Sequence, residues 1–470
     1  METDVMPSIL DGLNIAKLAL SAQQYAMNVT QRNTVNVNNP GYTRQDVLFT
    51  DLTVTSSWSA NKTPGVDLWS VRNSYLDKSI SYELPEFGEN LVKYNALREI
   101  DALLQGVSGA GLGTHINEFF NSFTELSSNP TDSALRWQVL SRAQTMTQEF
   151  GRLYNEIQRV QTAANQHIKS NVEDVNTLTA KIAALNDRIE TAHNLGQLEV
   201  EYGLRDERQE CMEDLQTKIN LFYFETESGS ITVTTTQGDA LVLGNKSFEI
   251  RLEQNVPNSV FYSLHLNGSD ITATVTSGEI GGYLQVRDKL IPGYLKTLDE
   301  MAADIIKEVN IVHQNGFDLD GNPGNKFFDD STLVPGYNGS VARYMNVLVT
   351  ANQIAAAGDD GSGQSLGYGD NNNAKAIAGL IKDGALKHLG ETYAALIYTV
   401  GSDQREAKET GENQQSVLSQ IMGQRNAESG VSLNEEAINL IKFQRAYQAS
   451  SRFVTVLNSL SAEILNFVGV

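Results

Sequence analysis

The sequence predicts an elongated, mainly α-helical, multi-domain rod with a small antiparallel β unit inserted in it. Three observations lead there. Both ends of the chain repeat apolar residues at alternating steps of three and four, the spacing of a narrow seam on a long helix. A third such stripe runs from Leu135 to Ile189. From Phe222 to Val275 the helical rhythm gives way to short apolar runs broken by Thr, Ser and Gly, which is strand chemistry.

The first helix carries its seam on Met6, Ile9, Leu13, Ala16, Leu20 and Met27, with Gln23 as the polar exception. Glu2 and Asp4 suit its N-terminal dipole, and Asn38-Asn39-Pro40-Gly41 ends it. Its counterpart is the last helix. Ser432-Leu433-Asn434-Glu435 reads as a capping box, and Leu440, Phe443, Tyr447, Val454, Leu457, Ile464 and Val468 form the seam, with Ser450 and Ser461 at its small positions. The two ends are expected to pair as an antiparallel coiled coil that closes the whole chain as its loop. Closing so long a loop opposes pairing, and short helices are marginal in water. The pair is therefore expected to be weak in an isolated chain and firm once neighbouring copies add contacts. Ile9, Leu13, Leu20 and Met27 with Leu440, Phe443, Tyr447, Val454, Leu457 and Ile464 are the candidate assembly interface.

After Gly41, Val47, Phe49, Leu52 and Val54 indicate short strands or extended chain up to about Val71. Helix resumes from Tyr75, with Leu91, Tyr94, Leu97, Ile100, Leu103 and Leu104 on one stripe. The Gly-rich break from Gly106 to Gly113 has no preceding strand and no following Lys, so it is not read as a phosphate loop. Ile116, Phe119, Phe120, Phe123 and Leu126 form an aromatic helical face suited to a core. Asn129-Pro130-Thr131-Asp132 starts a helix that Gly196 ends; unbroken it would reach roughly 90 Å at about 1.5 Å per residue, and Gly151 is the expected bend. The β unit turns at Glu227-Ser228-Gly229 and Asn267-Gly268. A second rod helix follows on Ile291, Leu295, Leu298, Ala302, Ile305, Val309 and Val312, with Pro292 near its start, where proline is tolerated. The expected division is a terminal coiled-coil assembly domain of 1–40 plus 430–470, a helical rod domain of 41–220 plus 280–429, and an inserted β domain of 221–279.

Composition narrows the function. With 470 residues and 40% hydrophobic content the chain can build more than one core. Its net charge of -22 argues against nucleic acid or an anionic membrane as partner. No apolar run is long enough to span a bilayer, and the acidic, periodic N-terminus does not read as a cleaved signal peptide. Cys211 stands alone, so no intrachain disulfide is expected. His115, His167, His193, His265, His313 and His388 are scattered and offer no metal-ligand spacing. Asp318-Leu319-Asp320-Gly321-Asn322 lacks the third acidic position of a calcium loop and reads as a tight polar turn. Gly363-Gln364-Ser365-Leu366-Gly367 matches the nucleophile-elbow pattern, but both flanks read as loop instead of strand and helix, so Ser365 is not assigned catalysis. No catalytic residue, metal or cofactor is expected.

Asn33-Thr34-Val35-Asn36-Val37-Asn38-Asn39-Pro40-Gly41-Tyr42-Thr43-Arg44-Gln45 resembles the N-terminal motif of bacterial flagellar axial proteins of the rod, hook and junction. Asn36, Asn38, Pro40, Gly41 and Tyr42 are the motif positions singled out. Asn39 stands where the family usually has Thr, and Thr34-Val35 replaces a usual Ile-Ala. Gly430 to Glu436 and Phe443-Gln444-Arg445-Ala446-Tyr447-Gln448-Ala449-Ser450 are similar to the family's C-terminal motif. Internal stretches at Gly203–Arg208, Gly281–Asp288, Gly316–Gly321 and Gly369–Ala374 point to its hook–filament junction member. The resemblance implies a structural subunit and no enzyme. It implies export through the flagellar type III channel without a cleaved signal, and assembly as a ring between hook and filament. The implied partners are other copies of itself, hook protein below, hook-associated protein 3 above, and an export chaperone on the C-terminal helix. The alternatives are another axial subunit, such as hook protein or hook-associated protein 3, and a secreted hydrolase using Ser365.

Overall fold

The computed structural model describes residues 5–39, 41–50, 65–106, 111–254, 260–334 and 339–467. Helix α1 (Val5–Val35) leads into an antiparallel ribbon of β1 (Gln45–Phe49) and β2 (Val66–Ser70), paired from Gln45↔Ser70 to Phe49↔Val66. Helices α2 (Ser74–Gln105), α3 (Leu112–Ser128), α4 (Ser133–Asn194) and α5 (Leu198–Lys218) follow. The β unit is two sheets. One has the order β3 (Leu221–Glu225), β4 (Ile231–Thr235), β5 (Ala240–Leu243), β6 (Lys246–Ser247). The other has β7 (Arg251–Gln254), β8 (Tyr262–Leu266), β9 (Ser269–Asp270). The chain returns to helix in α6 (Gly278–Gln285) and α7 (Ile291–Gln314). It then crosses an irregular stretch holding α8 (Val341–Tyr344) and α9 (Asn372–Gly379), and ends in α10 (Leu389–Ser429) and α11 (Leu433–Phe467).

Capping chemistry sets the starts of the long helices. Asn73 accepts the Tyr75 and Leu76 N–H groups at 3.0 and 3.3 Å, and Asp132 accepts those of Ala134 and Leu135 at 2.7 and 3.3 Å. Gly196, at φ 66°, follows the end of α4. The 62 residues of α4 form one unbroken helix, about 90 Å long. The bend expected at Gly151 is absent. A Cβ there would lie 3.3 Å from the Arg343 carbonyl oxygen, so this glycine serves the close approach of the α8 segment.

Several expectations are corrected. The second rod helix starts at Gly278, not at Ile291, and Pro292 lies inside a continuous helical run. A π turn at Val286–Leu290, in which the Ile291 N–H reaches the Val286 carbonyl, widens the helix just ahead of the proline ring. Helix α5 shows no apolar stripe because its buried face carries Glu201, Asp206, Arg208 and Gln216 beside Leu204, Met212 and Leu215. The 41-residue α10 is likewise unannounced by the stripes read above: its buried positions include Ala407 and Gly411 in the middle. Leu91, placed on the α2 stripe, is exposed, and Val92 takes the buried position. Leu52, Val54, Gly109 and Ala110 lie outside the described residues.

Two large apolar clusters fill the rod. One joins α3, the first half of α4, α7, α9 and the irregular stretch; its centre is the ring group Phe119, Phe123, Phe327 and Phe328. The other joins the second half of α4, α5, α6 and both sheets. A smaller one, around Ile80, Leu84 and Leu418, lies between α2 and α10, which run antiparallel. Buried polar side chains fasten irregular backbone to these cores. Arg136 donates to the Pro130, Ala351 and Ile354 carbonyls, and Asn310 bonds the backbone of Phe327 and Phe328. Arg287 donates to Asn165 Oδ1 and to the Tyr262 carbonyl, tying the π turn to α4 and β8.

Candidate assembly surface

The seam between α1 and α11 is antiparallel, with Asn33 opposite Glu436 and Gly12 opposite Leu457. Its α1 side is built of small residues. Ala16, Ala22, Ala26 and Val29 are buried, while Ile9, Leu13, Leu20 and Met27 flank them half-buried. Gly12 sits directly under the Leu457 side chain, where a Cβ would lie 3.4 Å from it, at ordinary contact distance. On α11, Phe443 (6% exposed) and Leu457 (9%) are the buried knobs, and Tyr447, Val454 and Ile464 are half-buried beside them. Phe443 also meets Phe49 of the ribbon, with ring centroids 5.8 Å apart. Leu440 departs from expectation: it is 44% exposed, and Glu436, Asn439 and Phe443 hold the register around it. The side chain of Met6 and residue Val468 lie outside the described residues, as do Glu2 and Asp4.

Helix α11 has a second apolar face: Ile438, Ile441, Phe453, Val456 and Leu460 are all exposed, and Leu10 and Ile15 are exposed at separate points on α1. Full burial of one such side chain contributes roughly 1.5–3 kcal/mol, so covering these residues would contribute on the order of 10 kcal/mol per chain.

At the base of the pair the N-terminal motif forms a polar hub. Asn33 is buried and uses both ends of its amide: Nδ2 donates to the Gln45 carbonyl and to Glu436 Oε1, and Oδ1 accepts from the Tyr42 hydroxyl and the Gln45 N–H. Thr43 donates twice to Asp206 of α5, from its N–H at 2.9 Å and its hydroxyl at 2.7 Å. Arg44 donates its N–H to the Ser429 carbonyl at the end of α10 and its guanidinium to Glu435 of α11. Glu435 is thereby drawn away from the helix start, and the expected capping box keeps only the long Ser432 Oγ contact to the Glu435 N–H, at 3.5 Å. Arg72 bridges Asp77 and Asp206, and Arg425 bridges Glu213 and Asp77.

Burial pushes the carboxyl groups of Asp77, Asp206 and Glu436 above their ordinary range, against the pull of the neighbouring arginines and hydrogen-bond donors. It also pushes the Tyr42 phenol up to about 12.

Of the motif positions singled out, Asn36 donates back to the Arg32 carbonyl and closes α1, Asn38 is exposed, Gly41 sits in an open turn, and Tyr42 joins the hub. Pro40 lies outside the described residues. The positions that make the hub are mostly their neighbours Asn33, Thr43, Arg44 and Gln45. One signal was available in the sequence: Glu436 is a polar residue one heptad before the seam residue Phe443, whereas Asn33 lies a heptad after Ala26, which is off the seam read from the sequence.

The residues weighed for catalysis or metal binding stand elsewhere. Ser365 lies in a loop, where its Oγ accepts from the Gly367 N–H. Asp318 accepts from the Asp320 and Asn322 N–H groups and shapes a polar turn. His313 is buried, bonded to the Asn325 carbonyl through Nδ1 and to the Ala355 N–H through Nε2, and burial lowers its pKa to about 4. Among the described residues, no group of His, Cys, Asp or Glu is placed to hold a metal ion, and no helix is long and apolar enough to cross a membrane.

Comparisons with known proteins agree with one another. The family described as flagellar hook-associated protein FlgK helical domain matches residues 97–328, and that described as flagellar basal body rod FlgEFG protein C-terminal matches 423–467. The chain is similar to flagellar hook-associated protein 1 of Bacillus subtilis, with 28% identity over 99% of both chains. It is similar to that of Escherichia coli with 24% identity, over 97% of this chain and 99% of the other. The second alignment runs over 553 positions, more than the 470 residues here, so that relative carries insertions. Among solved structures, the flagellar hook junction protein FlgK from Burkholderia pseudomallei shares the fold, with TM-score 0.64 and 16% identity over 75% of this chain and 100% of that one.

Proposed function

The chain resembles flagellar hook-associated protein 1 along nearly its whole length, and from that premise we propose that it is a structural subunit of the bacterial flagellum that forms a ring adaptor between hook and filament. The observation that carries the reading is the two-faced terminal pair. One face closes the chain on itself through small residues, and the other leaves Ile438, Ile441, Phe453 and Val456 exposed for further copies. An elongated helical rod behind such a pair suits a subunit held by its ends in a ring.

The same division serves this role: 1–40 plus 430–470 for assembly, 41–220 plus 280–429 as the rod, and 221–279 as the β part leaning on it. Hook protein would lie on one side of the ring and hook-associated protein 3 on the other. A chaperone would cover the exposed face of α11 before export, and export would proceed through the flagellar channel without a cleaved signal. Antibody to this protein on intact flagella tests the position. Label confined to the boundary of hook and filament is expected; label along the hook, along the filament or only in the medium would overturn it.

A further inference from the structure

A cavity of about 400 Å³ opens in the rod where α2, the end of α5, β3 and the start of α6 meet. Close backbone contact holds its walls. Gly88 sets α2 against α5, where a Cβ would lie 2.3 Å from the Thr217 carbonyl oxygen. Gly278 sets the start of α6 against Lys218, where a Cβ would lie 2.6 Å from the carbonyl. The site is therefore formed in the single chain, whatever the terminal helices do, and its shape is in place before a ligand arrives.

Its lining combines rings with unpaired polar groups. Tyr82 of α2 and Phe222 of β3 stand on it from two different elements and remain 70% and 53% exposed. Gln216 also lines it; this residue is 1% exposed, and its Oε1 has no hydrogen-bond partner. The Oδ1 of Asn220 is buried and unpaired beside it. Ser277 is buried at the start of α6, yet its hydroxyl makes no capping bond. Charge is balanced: among the described residues of the lining, Lys78 is the one cation and Glu86 the one anion. Two buried acceptors without donors are costly until something supplies the hydrogens.

We propose that this cavity binds a neutral saccharide. A sugar hydroxyl is donor and acceptor at once. It can donate to Gln216 Oε1 or Asn220 Oδ1 while accepting from the Ser277 hydroxyl or the Lys78 ammonium. The C–H faces of the sugar ring lie against the negative faces of Tyr82 and Phe222 and cover apolar surface otherwise left in water. The balanced lining and the net charge of -22 on the chain select against acidic sugars. The volume falls in the roughly 300–1,000 Å³ range of small-molecule sites and suits about one or two hexose rings, so the ligand is a small sugar or the end of a glycan.

Saturation-transfer NMR on the full chain tests this. The neutral probes are glucose, galactose, mannose, N-acetylglucosamine, lactose and cellobiose, and glucuronic acid is the acidic one. At least one neutral probe is expected to bind with millimolar affinity and to receive saturation on its ring C–H protons. Tyr82→Ala and Phe222→Ala change exposed side chains, and each should weaken that binding about tenfold while the melting temperature stays fixed. Gln216→Leu should abolish binding and leave the melting temperature level or higher, because it removes a buried acceptor that has no partner. If that protein does not fold, Asn220→Ala at the half-buried neighbour makes the same test. No neutral probe bound, a preference for glucuronic acid, or binding indifferent to Tyr82→Ala and to loss of the amide overturns the site.

Discussion

At the scale of single residues the rod rests on buried polar side chains such as Arg136, Asn310 and His313, each bonded to backbone outside its own helix. His313 is the case that pH reads. Its ring is held neutral between a carbonyl and an N–H, and burial lowers its pKa from 6.5 to about 4. The unfolded chain therefore takes up the proton first. The stability this histidine supplies is whole above about pH 6.5 and is lost as pH falls towards 4; complete loss amounts to about 3 kcal/mol. Rod melting temperature should fall from pH 6.5 to 5. A His313→Gln protein should be less stable at pH 7 yet show a shallower pH dependence over that interval; an unchanged slope would mean another group sets it. Asn33 makes a second test. Asn33→Ala leaves Gln45, Tyr42 and Glu436 with lost partners inside the hub. Hydrogen exchange should rise at residues 42–46 and at the start of α11, and stay unchanged in α4.

Elements meet through glycines where backbones come close, and through small residues where helices pair. Gly88 of α2 faces α5, and a Cβ there would stand 2.3 Å from the Thr217 carbonyl oxygen, too near for any side chain to relieve. Gly88→Ala should destabilise the rod by about 1–3 kcal/mol or more, read as a drop in urea midpoint with an unchanged slope. The terminal pair behaves differently. Leu457 lies over Gly12, and Leu457→Asp would bury a carboxylate in place of an apolar knob of the seam. That change should abolish assembly and open the ends to protease while the rod keeps its melting temperature. Loss of the rod transition would show that the seam belongs to the rod core. Even unmutated, the ends should be trimmed before the middle, because Ala16, Ala22 and Ala26 bury little apolar surface compared with the phenylalanine cluster of the rod.

For the whole molecule the expected role is positional. Deleting the gene should leave complete hooks, no filaments, no swimming and flagellin in the medium, since the step lost is the seating of filament subunits. Restoring the gene with Ser365→Ala should return motility in full, because Ser365 is a loop residue bonded only to its own turn here. Restoring it without 431–470 should not, because α1 would have no seam to close. Filaments on the deletion strain, or failure of an exported Ser365→Ala protein, would count against the adaptor.

What the sequence by itself determined is whatever periodicity and turn chemistry write locally: the paired ends, the long apolar stripe of α4, the phenylalanine face of α3, the change to strands after Phe222. These depend on neighbours three, four or two positions away, which a linear reading sees. The tertiary structure alone decided the rest. Helix α5 and the hub are held by Asp206, Arg208, Asn33 and Glu436, polar residues buried only because partners distant in the chain satisfy them. Gly151 looks like a bend in one dimension and proves a point of close approach in three. Leu440 keeps the spacing of the seam, yet at this end of the pair Glu436, bonded to Asn33, takes the buried position and leaves Leu440 in solvent. Hydrophobic spacing fixes which elements form; which of their faces meet is set by how closely their backbones can approach.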